Sequence, residues 1–460
     1  MQLKLRVLQG EQWSCHHCTD CCRNRLVPLS DAEATELSQL SWPNGDPLGG
    51  QPAVRRVRGK AYLRQRPDGS CVFLNEENGK CLVHETFFFD RKPLACQVFP
   101  FRIVGTLEDE VSVLGSYECP TVRRNEGEEY STRNAEFTRF AVATHAVDGI
   151  NSKRWFAGLT PREAANVVGF LASHLSIFET VEQEALFIYF VCDYVEKNPS
   201  DRPTKENLNL ILPTIQEQID EVMAQREKVG YHLPKLRQIA FRSLLAMYLR
   251  DQEDELQGRV KRLDRIIDSF MIAMGAGNFA SLGPLHPTGS LSKARLFTGL
   301  PWRVEELENN LLKRMVRTRL LSRQFMGRAM FGANFFFGLR MLAMTYPLVM
   351  AAAKYRAGNR KEEITFERAS RDLNFEKEQE DRAKRVGVVP ATTSKTARVE
   401  LRRKGRMLKA LAVTPEDIEY GVRVIDRAFG RSPYLRTRRA RLYTFLLMNR
   451  ESFTQLVLGI

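Results

Sequence analysis

Cys15-His16-His17-Cys18-Thr19-Asp20-Cys21-Cys22 sets three thiols at two-residue intervals and a fourth directly beside the last. Such spacing lets a short loop wrap a metal centre with sulfur from several sides. Cys22 complicates a single centre, because adjacent residues have difficulty aiming both sulfurs at one tetrahedral point. Cys21 and Cys22 are therefore expected to serve different partners, or one of them is structural. More sulfur lies downstream at Cys71, Cys81, Cys96 and Cys119, so eight of the nine cysteines fall within the first 120 residues or so. Eight thiols satisfy two four-thiolate sites, or one cluster with spares. The ninth, Cys192, lies in the apolar run Phe187-Ile188-Tyr189-Phe190-Val191-Cys192 and reads as a core residue.

The segment Met1 to Trp13 has scattered charges and no apolar run long enough for a secretory leader, so a reducing cytoplasm is the expected compartment. There, clustered cysteines point to metal rather than to disulfides. Ordinary buried free cysteine accounts for one or two residues, not eight. Sulfur-only ligation suits both zinc and iron-sulfur. The C-x2-C-x2-C spacing matches half of a bacterial ferredoxin run, and no second C-x2-C pair of the zinc-ribbon kind follows. Both points favour an iron-sulfur cluster, with zinc as the alternative. His16, His17 and His84 could each replace a thiolate, although a surface or outer-shell place suits them better.

Outward from this motif, the chain to about Pro120 is irregular, with Gly and Pro punctuation between short strand-like runs. Ser30 and Glu33 form a capping box ahead of Ala34 to Leu40. Thiolate-metal bonds are expected to replace an apolar core in so irregular a segment. From about Glu128 the texture becomes helical. Helices are predicted over 134–147, 164–175, 182–195, 205–222, 235–249, 256–274 and 302–326, with a further start at Thr414-Pro415-Glu416-Asp417. No alternation of strands with helices appears there, which disfavours a doubly wound nucleotide-binding sheet. The expected class is mostly α: a small irregular cysteine-rich metal-binding N-terminal domain plus a larger helical body. The expected boundaries are 1–125 for the metal domain, 126–373 for the helical domain, 374–404 for a linker or exposed loop, and 405–460 for a C-terminal helical segment.

Ala329 to Ala353 is apolar enough to suggest a membrane span, but Arg340 sits at its centre. A central Arg costs about 2.5–3.5 kcal/mol on insertion scales, offsetting several apolar residues. The segment reads as a buried helix pair, and no membrane span is expected. The chain carries 69 Lys and Arg against 55 Asp and Glu, a net charge of +14. These charges are spread and mixed, and no zinc-finger, RRM or KH pattern accompanies them, so a nucleic-acid partner is disfavoured.

The motif set resembles the CxxCxxCC family of zinc- or iron-chelating domains, whose members include YkgJ-like proteins and the flagellin lysine-N-methylases. The likeness runs through Cys15 to Cys22, Cys71-Val72-Phe73-Leu74, Gly79-Lys80-Cys81 and Arg91-Lys92-Pro93-Leu94-Ala95-Cys96-Gln97-Val98-Phe99-Pro100-Phe101, and ends at Cys119-Pro120. Gln97, where the family usually has Arg, and Lys92, between Arg91 and Pro93, depart from the pattern without removing a thiol. The resemblance implies metal held by Cys15, Cys18, Cys21, Cys22, Cys71, Cys81, Cys96 and Cys119. In its methylase members it further implies S-adenosylmethionine as cofactor and flagellin as protein partner. The residues themselves supply no glycine-rich nucleotide loop: Gly275-Ala276-Gly277-Asn278 reads as a helix-ending turn. The C-x3-C-x2-C spacing of radical adenosylmethionine enzymes is also missing. A metal-binding protein with a partner-binding helical body, a protein lysine methylase and an electron carrier all remain open, and no catalytic residue is assigned.

Overall fold

The computed structural model describes residues 3–23, 25–106, 110–146, 148, 153–225, 233–250, 267, 269–275, 311–357 and 413–459. The linker expected over 374–404 and residues 276–278 of the glycine turn lie outside them. So do residues 256–266 and 268 of the helix expected over 256–274, and residues 302–310 of the helix expected over 302–326. Gly275 itself is described; with φ 81° it ends a helical turn, as its sequence context suggests.

The cysteine-rich part is built from short pieces: β1 (Lys4–Arg6), β2 (Gln12–Trp13), β3 (Pro28–Leu29), α1 (Asp31–Ser38), β4 (Val54–Val57) and β5 (Lys60–Leu63). Then come α2 (Leu82–Phe87), α3 (Leu94–Val98), β6 (Phe101–Gly105), β7 (Glu110–Gly115), α4 (Pro120–Arg124), β8 (Glu128–Glu129) and α5 (Asn134–Ala143). Strand order is β1-β7-β6 in one sheet, with β1 parallel to β7 and β6 antiparallel to it; β3-β5-β4 and β2-β8 make the others. The capping box that starts α1 is present, with Ser30 and Glu33 each bonding the other's backbone N–H.

One expectation fails here. The segment has apolar cores of its own instead of depending on metal bonds alone. Val27, Leu29, Leu37, Leu63, Phe73 and Val83 form one cluster beneath α1, with Cys71, Cys81 and Cys96 packed at its margin. Phe101, Val113, Tyr130, Phe137 and Phe140 form a second, where α5 covers the β6–β7 sheet. The physical reason is that strand pairing turns alternate residues of these short runs to one side.

The helical body comprises α6 (Pro161–His174), α7 (Val181–Lys197), α8 (Lys205–Gln225), α9 (Lys235–Leu249), α10 (Leu311–Leu321), α11 (Phe335–Ala357), α12 (Pro415–Ala428), α13 (Arg438–Leu447) and α14 (Arg450–Gly459). Most of α7 is buried all round, and Cys192 is wholly buried within it, as read from sequence. Helix α11 is long and apolar enough to cross a membrane, yet 89% of its most apolar window is buried inside the protein. Ala329 to Ala353 is thus buried as expected, but it is not a helix pair. A short turn at Arg328–Met330 precedes one continuous helix, and Pro347 is accommodated within it. Arg340 pairs through Nη2 with Glu196 and with Asp193 (3.7 Å) of α7.

The two parts are joined by buried charge. Arg102 of β6 donates to the carbonyls of Phe429 (2.6 Å) and Ala329 (3.2 Å). Gly430 makes that junction possible. Its φ is 68°, and a Cβ there would sit 1.8 Å from the Ala329 carbonyl oxygen. Asp426 of α12 accepts from Arg319 of α10, from Ser116 Oγ (3.0 Å) and from the Tyr117 N–H (2.9 Å).

Candidate metal centre

Five chain segments deliver the eight thiols. Cys15 and Cys18 sit on an exposed loop that curls through left-handed His17 (φ 53°) and Thr19 (φ 64°) into the tight turn Asp20–Cys22. This loop packs on the Asn78-Gly79 turn. A Cβ on Gly79 (φ 71°) would lie 2.8 Å from the His17 carbonyl oxygen, so the contact needs glycine. Cys71 is tied to the same loop through its N–H, which donates to the Cys22 carbonyl at 2.7 Å.

Cys81 and Cys119 each occupy the position just before a short helix, α2 and α4, with extended backbone. Neither side chain caps its helix, so each sulfur is free for other use. Pro120 fixes φ at the first position of α4, which holds Cys119 at the corner. Cys119 Sγ lies 3.1 Å from Thr121 Oγ1. Cys96 is carried on α3.

Seven of the thiols, those of Cys15, Cys18, Cys21, Cys22, Cys81, Cys96 and Cys119, line one cavity of about 390 Å³. Cys71 lies in an adjoining cavity of about 60 Å³, whose lining also includes Cys21, Cys22, Cys81 and Cys96. The structure therefore brings all eight sequence-assigned cysteines into one region and leaves Cys192 far down in the helical core. His16, His17 and His84 also line the larger cavity. His17 Nδ1 is 4.0 Å from Cys15 Sγ, and the His84 ring packs edge-on against Phe89.

Burial pushes the Cys71 and Cys96 thiols up to about 12; neighbouring thiols add to this, whereas Arg66 beside Cys71, and Lys92 and Arg25 beside Cys96, oppose it. The Cys21 thiol is raised by its contact with Cys22 (Sγ to Sγ 3.8 Å) and by burial, and burial also raises Cys18. Even with these side-chain cations nearby, the thiols stay protonated at neutral pH. A bound metal ion reverses that and expels their protons. Lys92 lines both cavities and Arg25 the smaller, so positive charge already faces the place where thiolates would gather. Neither cation was legible as a site residue, because each becomes one only when distant segments meet.

The donor set thus fits a thiophilic metal. Its spacing carries further information. Four sulfurs about 2.3 Å from one zinc stand roughly 3.8 Å apart. Among the described residues, no three His, Cys, Asp or Glu side chains are gathered tightly enough to hold a single ion. The sulfurs instead surround a cavity. Residues 14–133 match the CxxCxxCC family. That family is described as a zinc- or iron-chelating domain, and the match spans every cysteine but Cys192. No curated protein and no solved structure matches the chain.

The CxxCxxCC domain is not a free appendage. Glu118, next to Cys119, pairs with Arg427 (3.7 Å) and Arg431 (3.5 Å) of the body and with Arg25 (3.9 Å) of the domain. Although its burial favours the neutral acid, these guanidiniums hold its carboxyl below the usual range. Arg123 pairs with Glu419 (2.7 Å), and Arg314 of α10 donates to the Val122 and Arg123 carbonyls. These residues lie far apart in sequence, and no local motif marks them.

Proposed function

We propose that the CxxCxxCC domain is an iron-sulfur site and that its metal fixes the geometry of a surface shared with the helical body. The supporting observation is the large cavity lined by seven thiols in which no three donors converge on a single-ion point. A polynuclear cluster spaces its thiolate ligands more widely than one ion does, and a cavity is what it needs. The candidate ligands are Cys15, Cys18, Cys21, Cys22, Cys71, Cys81, Cys96 and Cys119. When bound, such a cluster supplies cross-linking of chain segments and one-electron chemistry.

The chain's own residues do the rest. Lys92 and Arg25 oppose the negative charge of the thiolates. Phe89 and Phe99 give the cavity an apolar wall. Glu118, Arg123 and Asp426 transmit the position of the Cys119 corner to helices α10 and α12. Metal in this reading is part of the fold's stability, since binding free energy at such sites is largely folding free energy.

Anaerobically purified protein should be brown, with iron and acid-labile sulfide in near-equal amounts. Colourless protein containing zinc alone would overturn the iron assignment. Methyl transfer from S-adenosylmethionine to a protein lysine, implied by the family resemblance, is decided separately. Calorimetry of the metal-loaded protein with the cofactor tests it, and absence of binding at saturation removes it.

A further inference from the structure

We propose that the eight thiols form two four-thiolate metal centres divided at the Cys21–Cys22 peptide bond: Cys15, Cys18, Cys21 and Cys119 in one, Cys22, Cys71, Cys81 and Cys96 in the other. The inference rests on the metal-binding reading above and adds to it a second site and its ligands.

The cavity linings carry the division. Cys15, Cys18 and Cys119 line only the larger cavity, and Cys71 lines only the smaller. No single point in either cavity is therefore bordered by all eight sulfurs. Cys21, Cys22, Cys81 and Cys96 stand in the wall between the two.

Backbone contacts place the shared residues. The Cys71 N–H donates to the Cys22 carbonyl at 2.7 Å, and Arg23 pairs with Ser70 in an antiparallel bridge, so Cys22 travels with Cys71. Cys81 joins them through its bridge to Leu74, three residues beyond Cys71. Cys71, Cys81 and Cys96 pack at the margin of one apolar cluster, the one beneath α1. Cys119 belongs instead to the core cluster of the helical body. The Cys21 and Cys22 sulfurs stand 3.8 Å apart in the wall, so the two centres are close neighbours.

Chemistry gives the adjacent pair its purpose. Both sulfurs of this tight turn line both cavities, so one turn can serve a centre on either side. Each centre takes a thiophilic metal, and each of its four thiols releases one proton to solvent on binding. Lys92, which borders both cavities, faces the charge of both.

The test is metal and sulfide content of the full-length protein, read with cluster type from Mössbauer spectroscopy, for wild type and two pairs of variants. Cys15→Ser and Cys119→Ser should each remove one centre and leave the other; Cys71→Ser and Cys81→Ser should do the converse. A second substitution in the same set should remove nothing more, and one from each set should strip both. Loss of all metal from any single substitution in soluble protein, or a wild-type content equal to one centre, overturns the division. Where variants precipitate, the wild-type content alone decides. Two zinc-only centres would refute the iron reading and keep the division. One iron-sulfur centre would do the reverse.

Discussion

Replacing Asp426 with Asn should destabilise the protein by about 3–5 kcal/mol, the usual loss when one partner of a buried ion pair is removed. The structure explains why the upper part of that range applies. The side chains of Asp426 and Arg319 are both fully buried, and Arg319 Nε and Nη1 already have no hydrogen-bond partner. The amide would leave the guanidinium without its counter-charge while weakening the bonds from Ser116 Oγ and the Tyr117 N–H. Those residues lead into Cys119, so metal retention should fall together with stability. Urea unfolding followed by circular dichroism, with metal content measured on the same samples, reads both effects.

A pH series adds an independent sign. Burial alone would raise the Asp426 carboxyl, but Arg319 and Arg431 outweigh it and hold it below the usual range. A depressed folded-state value means that the stabilisation is present above the unfolded value near 3.9 and is lost as pH falls through the folded one. Wild type should therefore lose stability steeply below about pH 4, and Asp426→Asn less steeply. A variant within about 0.5 kcal/mol of wild type, the range of ordinary surface changes, would refute the view that this pair braces the Cys119 corner.

Cys96→Ser should lose metal and solubility, whereas Cys192→Ser, in the core of α7, should keep its metal; plasma emission analysis separates them. Gly430→Ala should lower the unfolding free energy, read by denaturant titration, by at least about 1–2 kcal/mol from the left-handed backbone alone, with the Ala329 carbonyl clash adding to it. Anaerobic chelation should raise hydrogen exchange in the loops around Cys15–Cys22 and Cys71–Cys81 well before it does so in α7. Uniform protection before and after chelation would contradict a structural role for the metal.

Patterns confined to a few neighbouring residues were legible in the sequence. The capping box at Ser30 and the Thr414-Pro415 start place helices within three residues of where they form. The cysteine spacing located the site, because thiol clusters leave a local mark. What depends on meetings across the chain was not legible. Ser116 and Tyr117 meet Asp426 some three hundred residues away, and nothing near either end announces it. Arg340 looked like a reason to deny a membrane span, and the structure adds the two acids of α7 that let it lie within a buried helix. The small apolar cores under α1 and α5 were missed because their strands are too short to show alternation.

Iron K-edge X-ray absorption on anaerobically prepared, full-length protein tests the central claim most directly. An iron-sulfur site in the CxxCxxCC domain predicts a first shell of sulfur only, at about 2.3 Å by analogy with other thiolate-bound metals, and a second shell of neighbouring iron. Iron with nitrogen or oxygen neighbours and no second iron shell would contradict it, as would stoichiometric zinc bound by sulfur in place of iron.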